Sequence, residues 1–465
     1  MKKPNIVCVT PPFYRLIESK NNRISPAMHY IAQILFNSNF PVTLINGDYA
    51  DESVDYCDRY SMYQNNWLFE ERYHTGGGVF DETVSKILKY NPQIVIISAG
   101  DVLLPTVEMG NAQSCALIAA GIKKFDKKIK CIGYGHLLKY ASSNLLKDLD
   151  FIITSECEDL ILAAIENNAP IHDNWSTDLD SLPLLSTEYI AQPINKYDFD
   201  YIMSMRGCTH NCKFCLQSDM RQRIDTFSVA HFEQELLYRI ERLGLKTFYF
   251  SDMIFLPYKD SRKQEMLSML KQLKQTYTDF RWCCEERIDS LTDEDYLHWY
   301  ESGCYHIKYG VESLNQEILN TLGKHINYKE ILHTFKKTKE VGLGTTAYVL
   351  LGCPGFSDND YLRMLELFVD LKADNYVINI NVPYWGTKLH QQIQTSLEHG
   401  TPYHSSEEGL FHLSAEMSRL WGISQNTIEQ YFNLQTNKED HSYRKYVRKV
   451  VNPKVFYSEN RIEYF

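Results

Sequence analysis

The sequence contains no stretch approaching the roughly 18 apolar residues that span a bilayer, so no membrane-crossing helix is expected. It lacks an apolar leader as well. "MKKPNIVCVTPPFYR" runs from two lysines straight into a strand-like segment, which predicts no secretory processing. Twelve cysteines in 465 residues are too few for a disulfide scaffold. These absences predict a cytoplasmic chain, where thiols stay reduced and clustered cysteines mean metal or catalysis. Positive charge is in deficit: the formal net charge is −11, which argues against a nucleic-acid surface as the main business of the protein. There is no internal repeat and no low-complexity tract. The glycine-rich "TGGGV" (75–79) has no lysine or hydroxyl of a phosphate loop and reads as a turn.

What remains is a globular composition, 44% hydrophobic and 23% charged, long enough for two or three domains. Residues 1–168 alternate short apolar runs with amphipathic stretches: strands at 5–10, 42–46, 93–99, 129–135 and 150–155, helices at 25–39, 80–90, 111–125 and 158–168. That pattern predicts a Rossmann-like, doubly wound parallel sheet. Residues 169–199, with three prolines and little periodicity, read as a linker. A second alternating series fills 200–392, with strands expected at 201–206, 247–255, 280–287, 305–313, 344–352 and 375–381. Six βα units in a row predict a partial (β/α)6 barrel. Residues 393–465 read as a small helical C-terminal region, including a basic-leaning "YRKYVRKVVNPKVFY" taken as a solvated face.

The chemistry concentrates in "MRGCTHNCKFC", which places Cys208, Cys212 and Cys215 just after the first strand of the second series. Parallel barrels carry their active sites on such loops. A closed zinc site needs four ligands, and the next cysteines, Cys283 and Cys284, are distant in sequence, with His210 a strained substitute. A redox dithiol would use Cys212 and Cys215 and leave Cys208 unexplained. Three thiolates suit a [4Fe–4S] cube with one open iron. The spacing favours the cluster, with zinc and simple packing as the alternatives.

The Cys-x3-Cys-x2-Cys spacing, with aromatic Phe214 before its last cysteine and a six-unit βα series behind it, resembles the radical S-adenosylmethionine (SAM) superfamily. The resemblance covers roughly residues 200–390. It implies that the open iron chelates SAM and that one electron from the cluster yields a 5′-deoxyadenosyl radical. "YGVES" (309–313) resembles the strand-four segment of that superfamily, which assigns Glu312 to SAM; the alternative is a strand-end glutamate capping the next helix. "LLGCPGFS" (350–357) resembles the turn whose backbone lies near adenine, with Gly355 in it, and "VPYWGTKL" (382–389) resembles the stretch after strand six. Arg287 is a candidate for the SAM carboxylate through its planar fork, and Asp252 for SAM or substrate. Cys283, Cys284 and Cys353 are candidate hydrogen-atom donors, as in radical epimerases, against the alternative of small buried hydrophobes.

The N-terminal series resembles the cobalamin-binding domain that precedes the barrel in one branch of the superfamily. Its "GYGHLL" departs from the branch's Gly-Gly-x-His by a tyrosine, which puts Tyr134 and His136 at the expected corrin site. "SECED" (155–159) likewise replaces a Gly-Glu-Gly. The resemblance implies a cobalamin-dependent C-methyltransferase acting on a small molecule or peptide, fed by a donor such as flavodoxin or ferredoxin. The alternatives are a radical SAM cyclase, rearrangement enzyme or epimerase without methyl transfer, and a non-catalytic iron–sulfur or zinc protein.

Overall fold

The computed structural model describes residues 3–51, 53–56, 59–76, 78–104, 110–176, 178–193, 199–257, 259–397 and 415–436. Five parallel strands form the first sheet: β1 (Ile6–Thr10), β2 (Val42–Asn46), β3 (Ile94–Ser98), β4 (Lys130–Tyr134) and β5 (Phe151–Ile153), in the order β2-β1-β3-β4-β5. β1 and β3 are buried at every position, which is why IVCVT and IVIIS are continuous apolar runs. The helix Pro26–Asn37 begins where Ser25 accepts a hydrogen bond from the Met28 amide and proline takes the first helical position. Strand order reverses between β1 and β3, so the ligand crevice of this sheet lies at their carboxyl ends.

The second sheet starts with β6 (Tyr201–Ile202). A short antiparallel ladder of β7 (Met205–Arg206) and β8 (Asp225–Thr226) follows. Then come β9 (Thr247–Phe250), β10 (Arg281–Arg287), β11 (Cys304–Glu312), β12 (Gly344–Leu351) and β13 (Asn375–Ile380). The sheet runs β6-β9-β10-β11-β12-β13, all parallel, in chain order as the βα pattern predicts. The single strand expected over 201–206 is divided. Asp252 accepts the Ser204 and Met205 amides at 2.8 and 2.6 Å, which turns the chain out of the sheet. The strand expected to reach 255 stops at Phe250.

The connector from 169 onward is pinned to the first sheet at both edges, by bridges Ile171–Ile153 and Ile190–Leu44. Gln33 holds it too, accepting from the Ser186 amide at 2.6 Å and the Tyr189 hydroxyl at 2.9 Å. At the far end, helices Lys388–Leu397, Ala415–Trp421 and Gln425–Thr436 are described, and the basic stretch 443–457 lies outside the described residues. The Trp421 indole donates to the Asn381 carbonyl and the Tyr431 hydroxyl to the Tyr361 carbonyl, both at 2.7 Å, which covers the β13 edge. Among the described residues no helix is long and apolar enough to cross a membrane.

Candidate active site

The β7–β8 ladder pinches the base of the loop that carries the three cysteines. Gly207 opens it at φ +95°, and a Cβ there would lie 1.9 Å from the Arg223 carbonyl, so only glycine fits. The loop is then fixed at mid-length, where the Lys213 amide donates to Leu322 and its carbonyl accepts from Leu389, both at 2.9 Å. Cys212 is buried, Cys208 and Cys215 half-buried, and all three line one cavity of about 450 Å³. Burial pushes the Cys215 thiol up to about 12 and raises Cys208 as well. Such thiols become ligands when a metal replaces the proton. Among the described residues no three metal-ligating side chains converge as they would on a single ion.

Cations flank the cysteines, as a cluster of anionic ligands requires. Arg287, at the end of β10, brings Nη1 to 3.6 Å from the Cys212 sulfur. The rest of its fork is taken: Nε and Nη2 donate to Asp289 at 2.8 and 3.1 Å, and Nη2 also to the Lys324 carbonyl at 2.9 Å. Glu312 ends β11 in a left-handed conformation, φ +62°, beside a register shift. Strain of that kind in a non-glycine residue marks sites where geometry is imposed. Its carboxylate pairs with Lys324 at 2.9 Å across Gly310, where a Cβ would crowd the lysine nitrogen at 2.7 Å. Arg287, Glu312, Lys324 and Phe214 all line the cavity. Lys324 and Asp289 were not singled out from the sequence, because nothing in "LGKHIN" or "RIDS" signals a fold-dependent partner.

Other sequence-predicted residues lie off this wall. Asp252 is fully buried, and its oxygens are occupied by Ser204 and Met205. Gly355 is exposed in its turn, at φ +86°. Cys283, Cys284 and Cys353 are buried and do not line the cavity. Tyr134 is fully buried, its hydroxyl without a hydrogen-bond partner among the described residues.

His136 points to the barrel. Its Nε2 lies 2.9 Å from Asp219, just past the cysteine loop, and Asp219 also receives the Lys139 ammonium at 3.0 Å and the Tyr140 hydroxyl. Burial alone would raise the Asp219 carboxyl, but bonds from His136, Tyr140 and Lys139 outweigh it and bring it from 3.8 down to about 2. A carboxyl lowered by folding stabilises the fold above its unfolded value and loses that contribution as pH falls through the folded one. Thermal stability should therefore fall between pH 3.8 and about 2. Asp219→Asn should flatten that limb, and a melting curve with unchanged slope would count against this bridge.

A second bridge brackets the loop. Arg206 before it and Arg221 after it both reach Glu156 of "SECED", at 2.9 and 2.6 Å, and Arg206 also reaches Glu158 at 2.8 Å. All four side chains are no more than 2% exposed. Burial alone would lower the Arg206 guanidinium, but Glu158 and Glu156 hold it above its ordinary value. The cavity wall opposite the barrel is completed by Tyr14, Lys20, Asn21, Arg23, Tyr56 and Leu104 of the first domain.

Six parallel strands in the order of a partial barrel, with three loop thiols facing one cavity, suit an iron–sulfur cluster that keeps one site open. Residues 202–368 match the Radical SAM superfamily, so the barrel is a radical SAM domain, with a [4Fe–4S] cluster and SAM as its cofactors. Over 217 residues the chain is 27% identical to an uncharacterized methyltransferase of Pyrococcus horikoshii, covering 45% of this chain and 46% of that one. Over 201 residues it is 23% identical to a biotin synthase of Sulfurihydrogenibium, covering 42% and 58%. The matches span about half the length of these curated relatives.

The fold extends further. The radical SAM methyltransferase TsrM of Kitasatospora setae, solved with cobalamin and a [4Fe–4S] cluster, matches with a TM-score of 0.60 at 13% identity, over 86% of this chain and 80% of that one. The cobalamin-dependent radical enzyme OxsB, solved with aqua-cobalamin and SAM, matches at 0.63 and 13%, over 96% and 71%. Both sheets and their order of connection are thus a known two-domain architecture.

Proposed function

We propose that the chain is a cobalamin-dependent radical SAM enzyme that methylates an unactivated carbon of a small molecule or peptide. One observation carries this reading: a single cavity has the three cysteines on one wall and first-domain side chains on the other. The first-domain wall suits a corrin, with flat and apolar surface from Tyr14, Tyr56 and Leu104 and polar groups from Lys20 and Asn21 for an amide rim. TsrM, with a similar fold, was solved with tryptophan and a SAM analogue bound. A loaded cluster supplies the electron that cleaves SAM, and cobalamin supplies a methyl carrier. The chain's own residues do the rest. Cys208, Cys212 and Cys215 hold three irons, the Glu312–Lys324 pair and Arg287 present charge to the polar end of SAM, and Phe214, Met253, Ile254 and Leu350 line the chamber with surface that keeps water from a radical. A reductase-type donor such as flavodoxin or ferredoxin would deliver the electron.

The second reading is a radical SAM cyclase, rearrangement enzyme or epimerase without methyl transfer. It is favoured by His136, which is spent on Asp219 and not on the cavity. Anaerobic reconstitution followed by SAM, reductant and hydroxocobalamin tests both. Formation of 5′-deoxyadenosine with S-adenosylhomocysteine supports methyl transfer. Deoxyadenosine alone, with no cobalamin retained through gel filtration, supports the second reading. No deoxyadenosine from a fully loaded cluster would sink both.

A further inference from the structure

Three carboxylates line the cavity, and they are not equivalent. Glu312 is neutralised by Lys324. Glu286 is 3% exposed, and burial raises its carboxyl well above the ordinary value, which favours its uncharged form. Glu285 is half-buried, and both of its side-chain hydrogen bonds come from neutral phenols: Tyr249 on β9 and Tyr348 on β12 each donate to Oε1 at 2.6 Å. Two donors from different strands fix the carboxylate across the lumen and leave Oε2 as the oxygen neither phenol occupies. Among the described residues no cation stands within ion-pair distance of Glu285. Lys308, the residue opposite Glu285 on β11, interacts with it electrostatically and sets its nitrogen 4.2 Å over the Tyr249 ring.

Of the cations that line the cavity, Arg23 pairs with Asp200, Arg287 with Asp289 and Lys324 with Glu312, and Lys20 donates to the Asp51 carbonyl. An anionic guest would compete with these partners. A cationic guest would find a carboxylate already oriented, its Oε2 taken by neither phenol, in surroundings where a charge-assisted hydrogen bond is strong. Its place is two residues inward from Arg287 on β10, about 7 Å along the strand, and so below the cysteine end of the chamber.

We propose that Glu285 is the substrate anchor, binding a protonated amine through Oε2 and thereby selecting amine-bearing substrates. The assignment rests on this cavity being the radical reaction chamber. Equilibrium dialysis of the reconstituted full chain against 2-phenylethylamine, 2-phenylethanol and 3-phenylpropionate tests it, with SAM dialysed in parallel. The amine should be retained, the alcohol held roughly tenfold less or weaker, and the acid excluded. Glu285→Gln should weaken amine binding by about tenfold or more while SAM affinity stays unchanged. Tyr348→Phe, which frees Oε1 but keeps the carboxylate, should retain the amine preference. Equal retention of amine and alcohol, preference for the acid, or no amine bound by an enzyme that binds SAM would overturn the anchor and leave the chamber intact. So would amine affinity untouched by Glu285→Gln, or joint loss of amine and SAM binding in that variant. Failure of the loaded wild-type chain to bind SAM would instead remove the chamber itself.

Discussion

Cys212→Ala should give a colourless, folded protein that forms no 5′-deoxyadenosine. Cys212 is the buried member of the triplet and the one touched by Arg287. Without its thiolate the loop offers two sulfurs to a cube that needs three, and His210 borders the cavity only as an exposed residue whose backbone amide already bonds Cys208. Iron and sulfide content after reconstitution should drop to background, and SAM cleavage with it. The fold should survive, since the loop is anchored by the β7–β8 ladder and by Lys213 backbone bonds that the substitution does not touch. A thiol-to-methyl change at one such position costs about 1 kcal/mol. Retained iron at wild-type stoichiometry would refute the ligand assignment. Unfolding in step with metal loss would mean that the cluster holds the loop, not the reverse.

Glu156→Ala should be the most destabilising single change outside the hydrophobic core. It removes the partner shared by Arg206 and Arg221, both 2% exposed, and leaves Arg206 with Glu158 and Arg221 with Asp225. Stranding a buried charge outright costs about 3–5 kcal/mol, and the partners that remain, Glu158 and Asp225, hold the effect here to the lower end, about 3 kcal/mol. Urea unfolding of the full chain should show the midpoint shift. Replacing the charges together, as in Glu156→Leu and Glu158→Leu with Arg206→Met, should recover part of the loss, because the apolar group no longer demands solvation and Arg221 keeps Asp225. A single substitution shifting stability by less than about 1 kcal/mol would mean that water reaches the interface and that these ion pairs behave as surface ones. The reconstituted variant should also show a broadened cluster EPR signal if the arginines position the loop.

Much of the site was legible because it is written locally. Three cysteines within eight residues, and apolar runs such as IVCVT and IVIIS, carry their meaning in adjacent letters. What was not legible depends on partners brought together by folding. His136 is met in the sequence as part of "GYGHLL", yet its contact is Asp219, and Glu156 in "SECED" answers Arg206 and Arg221. Glu285 sits in "RWCCEER" beside another glutamate and an arginine, where no pattern tells which carboxylate keeps a cation and which does not. The division of the strand expected at 201–206 has the same origin. Its amides are claimed by Asp252 from the next strand's end, a competitor that hydrophobic patterning does not record.

The two charged bridges across the domain boundary also bear on ancestry. The barrel could not be exchanged between chains as a free-standing cassette. Recombination with an unrelated first domain would take from Arg206 both of its carboxylates, leave Arg221 with Asp225 alone, and leave Asp219 without its three donors. Lineages carrying this barrel would therefore inherit both halves as one unit, even where the first half changes its cargo.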